Sequence, residues 1–246
     1  MADKAEGLIL RTTDYSQTSR IVVWFTREFG KLSTLAKGGR RLRSPFESAL
    51  DLLATCQIVF LRKTSSNLDL LTEAKLLRRF APGTRHLATV YAGYYVAELL
   101  LGLTADYDPH PQLYEVTQET LQELEQGHEV RKTLLRFEWS LLRELGQLPD
   151  LSRCQLCGTG WEQAQTFAYW VSQGGMICAA CARQDWQQTM IHTGTIAALR
   201  WLSEPGGTAW KRLVLTPQQL QELKAMTHAA IGHVLGHRPK LWSYLP

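Results

Sequence analysis

The stretch Arg20-Ile21-Val22-Val23-Trp24-Phe25-Thr26-Arg27-Glu28-Phe29-Gly30-Lys31-Leu32-Ser33-Thr34-Leu35-Ala36-Lys37 contains two short runs, Arg20 to Thr26 and Lys31 to Lys37, parted by the turn-like Glu28 to Gly30. The first run is rich in β-branched and aromatic residues and the second alternates apolar with polar, which is the period of strands. Leu8 to Thr13, Leu52 to Arg62 and Leu68 to Glu73 read the same way. The intervening Asp14 to Ser19, Gly38 to Pro45 and Thr64 to Asn67 carry turn residues. Five short strands before residue 80 predict a small closed barrel, with the OB-fold as the leading architecture.

After Pro82 the apolar period becomes helical. Tyr91, Tyr94, Tyr95 and Leu99 share one stripe, Leu113, Val116, Leu121 and Leu124 a second, and Leu134, Leu135, Trp139 and Leu142 a third. Three helices forming a bundle are expected, with Pro109 and Pro111 parting the first two and Gly127 the second from the third. Further helices are expected at His192 to Ser203 and, with Thr216 as N-cap and Pro217 in the first turn, on to about Leu235. The predicted class is α+β and multidomain. Residues 1–80 form the OB-fold barrel, 81–150 and 187–246 one helical body, and 151–186 a cysteine-bearing module inserted between them.

The chain has 246 residues, 45% apolar and 20% charged, enough for more than one core. Its longest apolar run, Tyr91 to Leu103, is broken by Glu98 and falls short of the roughly 20 residues of a membrane span. Acids mix with lysine before Gly7, unlike a secretory leader. A cytoplasmic, nucleoid-associated location with reduced thiols is expected. Residues 1–80 hold 14 Lys and Arg against 8 Asp and Glu, residues 81–150 hold 5 against 11, and residues 151–246 hold 8 against 4. A basic first module beside an acidic middle is what a polyanion-binding domain fused to a non-binding body shows, although chance segregation of surface charge gives the same pattern.

Four of the five cysteines form two pairs, Cys154-Gln155-Leu156-Cys157 and Cys178-Ala179-Ala180-Cys181. Two-residue gaps let both thiolates of a pair face one ion, and Thr166 to Val171 with Met176-Ile177 can form a hairpin through Gly174-Gly175 that returns the second pair to the first. This spacing predicts one Zn2+, held structurally, because four thiolates fill a tetrahedral ion and leave no position for substrate. Cys56, alone in an apolar strand, reads as a small buried hydrophobe.

Between Phe29 and Phe46 there are five basic residues and no acid: Lys31, Lys37, Arg40, Arg41 and Arg43. Such a cluster follows phosphates without reading base edges, or is simply a solvated loop. Trp24 and Phe25 face opposite ways, so one is a candidate stacking platform and the other belongs to the core. Arg20 either joins this surface or pairs with Asp14. His233 and His237 fit a helix C-terminus better than a metal site. The acids Glu115, Glu119, Glu123, Glu125 and Glu129 fall largely on the solvent side of their helix, and Tyr91, Tyr94 and Tyr95 read as core. No nucleotide-binding loop, catalytic triad or metalloprotease motif is present. An enzyme is therefore not expected. Two rivals remain: a nucleic-acid enzyme using the zinc, and a zinc-stabilised protein adaptor in which the basic loop is incidental.

The order of features resembles the bacterial RecO recombination mediators. The resemblance runs through Gly7-Leu8-Ile9-Leu10-Arg11, Asp14-Tyr15-Ser16, Ser19-Arg20, Phe25 to Lys31 and Leu35-Ala36-Lys37-Gly38-Gly39-Arg40-Arg41. It resumes at Arg136-Phe137-Glu138, Leu145-Gly146, Pro149-Asp150-Leu151, both cysteine pairs and Gly236 to Trp242. It implies a non-enzymatic role in DNA repair and homologous recombination. Family members bind single- and double-stranded DNA, anneal complementary strands and work with RecR to load the RecA filament on strands coated by single-strand-binding protein. Carried over, Lys37, Arg40 and Arg41 are DNA contacts, with Arg20 and Lys31 beside them, and the four paired cysteines are zinc ligands; Arg43 is a DNA-binding candidate from the basic cluster alone. The resemblance further implies docking of the acidic tail of single-strand-binding protein on the helical body, where Arg131, Lys132 and Arg136 are the candidates. No role is carried onto Trp242.

Overall fold

The computed structural model describes residues 2–40, 46, 49–63, 68–82, 87–148, 150–160, 166–170, 173–184, 186, 188–204 and 206–246. Two compact units divide the chain. One comprises Met1–Val130 with Pro239–Pro246, and the other Arg131–Arg238.

In the first unit, β1 (Ala2–Asp14), β2 (Arg20–Thr26), β3 (Gly30–Ala36), β4 (Thr55–Leu61) and β5 (Asp69–Arg78) close a barrel in the order β1-β2-β3-β5-β4. Only β3 and β5 run parallel. This is the OB-fold expected from the strand count. Closure depends on β1, whose first half pairs with β4 and whose second half pairs with β2. A register shift between Ile9 and Arg11 bends it from one neighbour to the other. Alternation fills the interior with Ile9, Val22, Trp24, Leu32, Ala36, Ile58 and Phe60. The Trp24 indole N–H donates to Thr34 Oγ1 at 2.8 Å, so this buried polar atom is satisfied. Cys56 is buried too, and its thiol donates to the Ala49 carbonyl. Burial pushes that thiol up to about 12, which keeps it inert.

Helices α1 (Leu87–Leu103) and α2 (Pro111–Glu125) cover part of the barrel's outside. The α2 side chain Tyr114 packs its ring 6.0 Å from Phe25 and donates its hydroxyl to Glu6 Oε1 at 3.2 Å. Arg27 meets Glu115 at 2.9 Å and Arg78 meets Glu125 at 3.0 Å. α1 approaches so closely at Gly93 that a Cβ there would lie 2.5 Å from the Phe80 ring. The final residues return to α1. The backbone N–H groups of Lys240 and Leu241 donate to the Glu98 carboxylate, the Trp242 indole donates to Tyr95, and Tyr244 packs on Tyr91.

The second unit holds α3 (Val130–Glu144) from Arg131 onward, a sheet of β6 (Thr166–Trp170), β7 (Gly175–Cys178) and β8 (Gln188–His192), and helices α4 (Thr193–Ser203) and α5 (Pro217–Leu235). The cysteine module's hairpin is β6–β7, as its spacing predicts. Thr216 caps α5 in a reciprocal capping box with Gln219, and Gly236 ends it at φ 77°. Glu222 of α5 accepts from the His192 backbone and from the Thr195 hydroxyl, which ties down the start of α4.

One expectation needs correction. The three central helices do not make a bundle of their own, because α1 and α2 belong with the barrel and α3 with the second unit. Of the five acids read as largely solvent-facing, Glu115, Glu119 and Glu129 are exposed, with Glu115 also reaching Arg27, while Glu125 is half-buried beside Arg78 and Glu123 is buried.

Candidate nucleic-acid interface and metal centre

Arg20 opens β2 opposite both Asp14 and Ala36, so the turn between β1 and β2 and the end of β3 lie at the same end of the barrel. Arg20 Nε donates to Asp14 Oδ1 at 3.2 Å, so the two placements the spacing left open coincide: Arg20 pairs with Asp14 and stays part-exposed at this end. Arg40 arrives from the turn after β3. It donates to the Ser16 carbonyl at 2.8 Å and pairs with Asp14 Oδ2 at 3.3 Å. Lys37 is exposed beside them. Among the described residues three cations meet one carboxylate at this end. Arg41 and Arg43 lie outside the described residues.

Next to this cluster the outer faces of β1, β2 and β3 are partly exposed, although Val23 and Phe25 of β2 are buried. Arg11 and Thr13 are exposed, and Ile21, Ser33 and Leu35 are half-buried, on the side opposite the Ile9, Val22 and Trp24 core. Binding to the β2–β3 face and the β1–β2 turn is the usual mode of OB-folds. Arg11 was not singled out from sequence. Its signal was a lone cation closing the run Leu8-Ile9-Leu10, and only the bulge turns it outward.

Lys31 does not join the surface. Its side chain is 14% exposed, and its ammonium donates to the carbonyls of Leu101 at 2.9 Å and Thr104 at 2.6 Å, with Asp106 at 3.5 Å. It sits on the positive-seeking C-terminal end of α1, an attraction stronger than solvent offers on that strand. Neither Trp24 nor Phe25 is a stacking platform, because the core buries one and α2 the other. In the second unit Arg136 is buried and donates to Ser140 Oγ and to the Leu202 carbonyl, so it lines no surface groove. Lys132 donates to the carbonyls of Lys211 and Leu213, and Arg131 is half-buried in the first turn of α3.

The four paired cysteines come together as predicted, with all their sulfurs within 4.8 Å of one another. Cys157 Sγ is 3.6 Å from Cys178 Sγ, against about 3.8 Å for two thiolates at tetrahedral positions around an ion with Zn–S bonds of about 2.3 Å. The backbone N–H of Cys178 points to Cys154 Sγ at 3.3 Å, which orients a ligand sulfur and offsets its charge. The Thr159 hydroxyl helps bring the Cys157 thiol down to about 6. Cys181 is pushed up to about 12, chiefly by bonds to the sulfurs of Cys157 and Cys178. Four thiols this close ionise together only around a cation, so donor chemistry and spacing both fit a metal ion. Gly174, at φ 62°, makes the turn that returns the second pair, and a Cβ on Gly175 would strike the Gln155 amide.

Two family models divide the chain: residues 1–80 match "Recombination protein O N terminal" and residues 85–243 match "Recombination protein O C terminal". The chain belongs to the RecO family. A curated RecO relative, "DNA repair protein RecO" of Rhodopirellula baltica, is 36% identical over 98% of this chain and 97% of its own length. Proteins of the same name from Anaeromyxobacter sp. (strain K) and Syntrophus aciditrophicus are 31% and 28% identical, each over 96% of this chain and 92% of the relative. The boundary between the two RecO models follows the barrel. The compact units divide later, at Val130, since α1 and α2 pack with the strands. Among the described residues no helix is long and apolar enough to cross a membrane.

Proposed function

We propose that the protein is a DNA-binding recombination mediator. Single- and double-stranded DNA lies along the partly exposed outer face at the β1–β2 end of the barrel, with phosphates held at Lys37 and Arg40, and with Arg20, Arg41 and Arg43 adding to the positive field. The observation that carries this reading is the convergence of Arg20, Lys37 and Arg40 on the β1–β2 end of an OB-fold in a RecO-family chain. The mechanism is electrostatic and positional. Cations neutralise two phosphate chains in turn, repulsion between complementary strands falls, and annealing accelerates without any covalent bond being made or broken. In this reading the protein works with RecR to deliver RecA to strands coated by single-strand-binding protein. That protein's acidic tail meets the helical part of the chain. Lys31 and Arg136 drop out of the proposed contacts because both are committed to internal carbonyls.

Cys154, Cys157, Cys178 and Cys181 would hold one Zn2+ as a structural ion. A saturated tetrathiolate site cross-links the β6–β7 hairpin to the first cysteine pair and supplies no Lewis-acid position. The experiment is binding of the zinc-replete protein to a labelled single strand across a salt series, with annealing followed on the same preparation. Salt-sensitive binding and faster annealing without cleavage support the reading. No binding at low salt transfers the role to a zinc-stabilised protein adaptor.

A further inference from the structure

We propose that Tyr15 is a base-stacking residue, which makes the β1–β2 turn a subsite for one unpaired nucleobase of single-stranded DNA. The inference rests on the DNA-binding reading above and adds what that reading lacks, a contact that distinguishes a single strand from a duplex. Lysines and arginines bind the phosphates of both alike.

Elimination and geometry point to the same side chain. Four aromatic residues lie between residues 8 and 40: Tyr15, Trp24, Phe25 and Phe29. Trp24 fills the barrel, Phe25 lies under Tyr114, and Phe29 packs edge-on against Phe60 at 5.6 Å with the Arg62 guanidinium over its ring. Tyr15 is 61% exposed. A single exposed aromatic is ordinary on a protein surface, so its setting decides.

That setting is a braced turn. The Tyr15 N–H donates to the Ser19 carbonyl at 3.0 Å, and Ser16 Oγ accepts from the backbone of Thr18 and Ser19. Arg40 ties the same turn down twice, from its backbone to the Thr18 carbonyl and from its guanidinium to the Ser16 carbonyl. The backbone on both sides of the ring is thus held before any ligand arrives, which lowers the ordering cost of binding. The two residues flanking Tyr15 are the ones that hold the arginines: Asp14 pairs with Arg20 and Arg40, and Ser16 accepts from Arg40. A strand whose phosphates lie at Arg40 and Lys37 therefore passes the ring, and stacking on it is tolerant of sequence because every base has a π-face. In a duplex both faces of an interior base are already covered by its neighbours, so the ring gains little there.

The test uses the full zinc-replete chain with three probes of equal length: an oligo-dT strand, a strand of abasic sites and a duplex. For Tyr15→Leu we expect oligo-dT affinity to fall by about 5- to 150-fold, with the slope of log K against log salt unchanged. Binding to the abasic strand and the duplex should stay as in the wild type, and Tyr15→Phe should retain oligo-dT binding. An unchanged melting profile excludes a folding defect. Wild-type affinity for oligo-dT in Tyr15→Leu overturns the proposal, and so does an equal loss on all three probes. The double variant Lys37→Gln/Arg40→Gln separates the two ideas. If it weakens every probe while Tyr15→Leu weakens none, stacking alone is wrong; if it too changes nothing, the DNA-binding surface itself is misplaced.

Discussion

Replacing Lys31 by methionine keeps the apolar stem and removes the ammonium from the end of α1. In the folded protein that ammonium satisfies the carbonyls of Leu101 and Thr104, at 2.9 and 2.6 Å, from a side chain only 14% exposed. Hydrogen bonds to a charged group are worth about 1.5–3 kcal/mol each, and partial access of water to the freed carbonyls returns some of that. The helix C-terminus adds about 0.3–1 kcal/mol. Asp106, at 3.5 Å but 63% exposed, adds little because solvent screens it. The expected loss is about 2–4 kcal/mol, which corresponds to a fall in Tm of about 5–15 °C for a unit of this size. Urea unfolding followed by circular dichroism measures it, and DNA binding of the folded variant across a salt series should match the wild type. A variant as stable as the wild type that has lost DNA affinity with a flatter salt slope would falsify the placement of Lys31 and return it to the DNA surface.

Removing the metal, by chelation or by Cys178→Ser, should unfold the β6–β7 hairpin and abolish the near-ultraviolet circular dichroism of Trp170 and Trp186, which stack at 3.9 Å, while the melting of the barrel unit stays put. Loss of that signal together with the barrel would show that the metal supports more than its own module. Burial, aided by Lys224 and Arg238, pulls the His228 imidazole down from 6.5 to about 4, so between those values the unfolded chain takes up a proton that the folded chain does not. Stability is therefore lost as pH falls through this window, by about 1–2 kcal/mol between pH 7 and 5 after allowance for partial exposure. His228→Gln should lack that part of the pH dependence, and identical unfolding free-energy differences in the two proteins would refute it. Gly30 has φ 68°, and a Cβ there would lie 2.0 Å from the Asp108 carbonyl oxygen. Gly30→Ala should cost about 2–4 kcal/mol in urea unfolding, whereas a loss below about 1 kcal/mol would mean that the loop before α2 yields freely.

Features with a local cause were legible in the sequence. Alternation along Lys31 to Lys37 gave β3 its faces, Thr216-Pro217 gave the start of α5, and the cysteine spacing gave the hairpin and the sulfur cluster. What escaped was decided by which element lies on which. A lysine on an outward strand position reads as a surface charge until a helix end arrives above it, and so Lys31 was misplaced. Phe25 reads as a free outer-face aromatic until α2 supplies Tyr114. Arg136 lies in a helix whose period was clear, but its burial depends on the Leu202 carbonyl, 66 residues away. Tyr15 was overlooked because it sits in a polar turn, where periodicity carries no signal and only the hydrogen bonds of the folded turn show that the backbone on either side of its ring is held.

The central claim is that DNA lies on the β1–β2 end of the barrel, and the slope of log K against log salt for oligo-dT measures it most directly. Neutralising Lys37, Arg40 and Arg41 together to glutamine should weaken binding to all sequences alike and reduce the slope by about 0.7–0.9 per lost phosphate contact, or about 2–3 in all. A triple variant with the affinity and salt slope of the wild type would contradict the account.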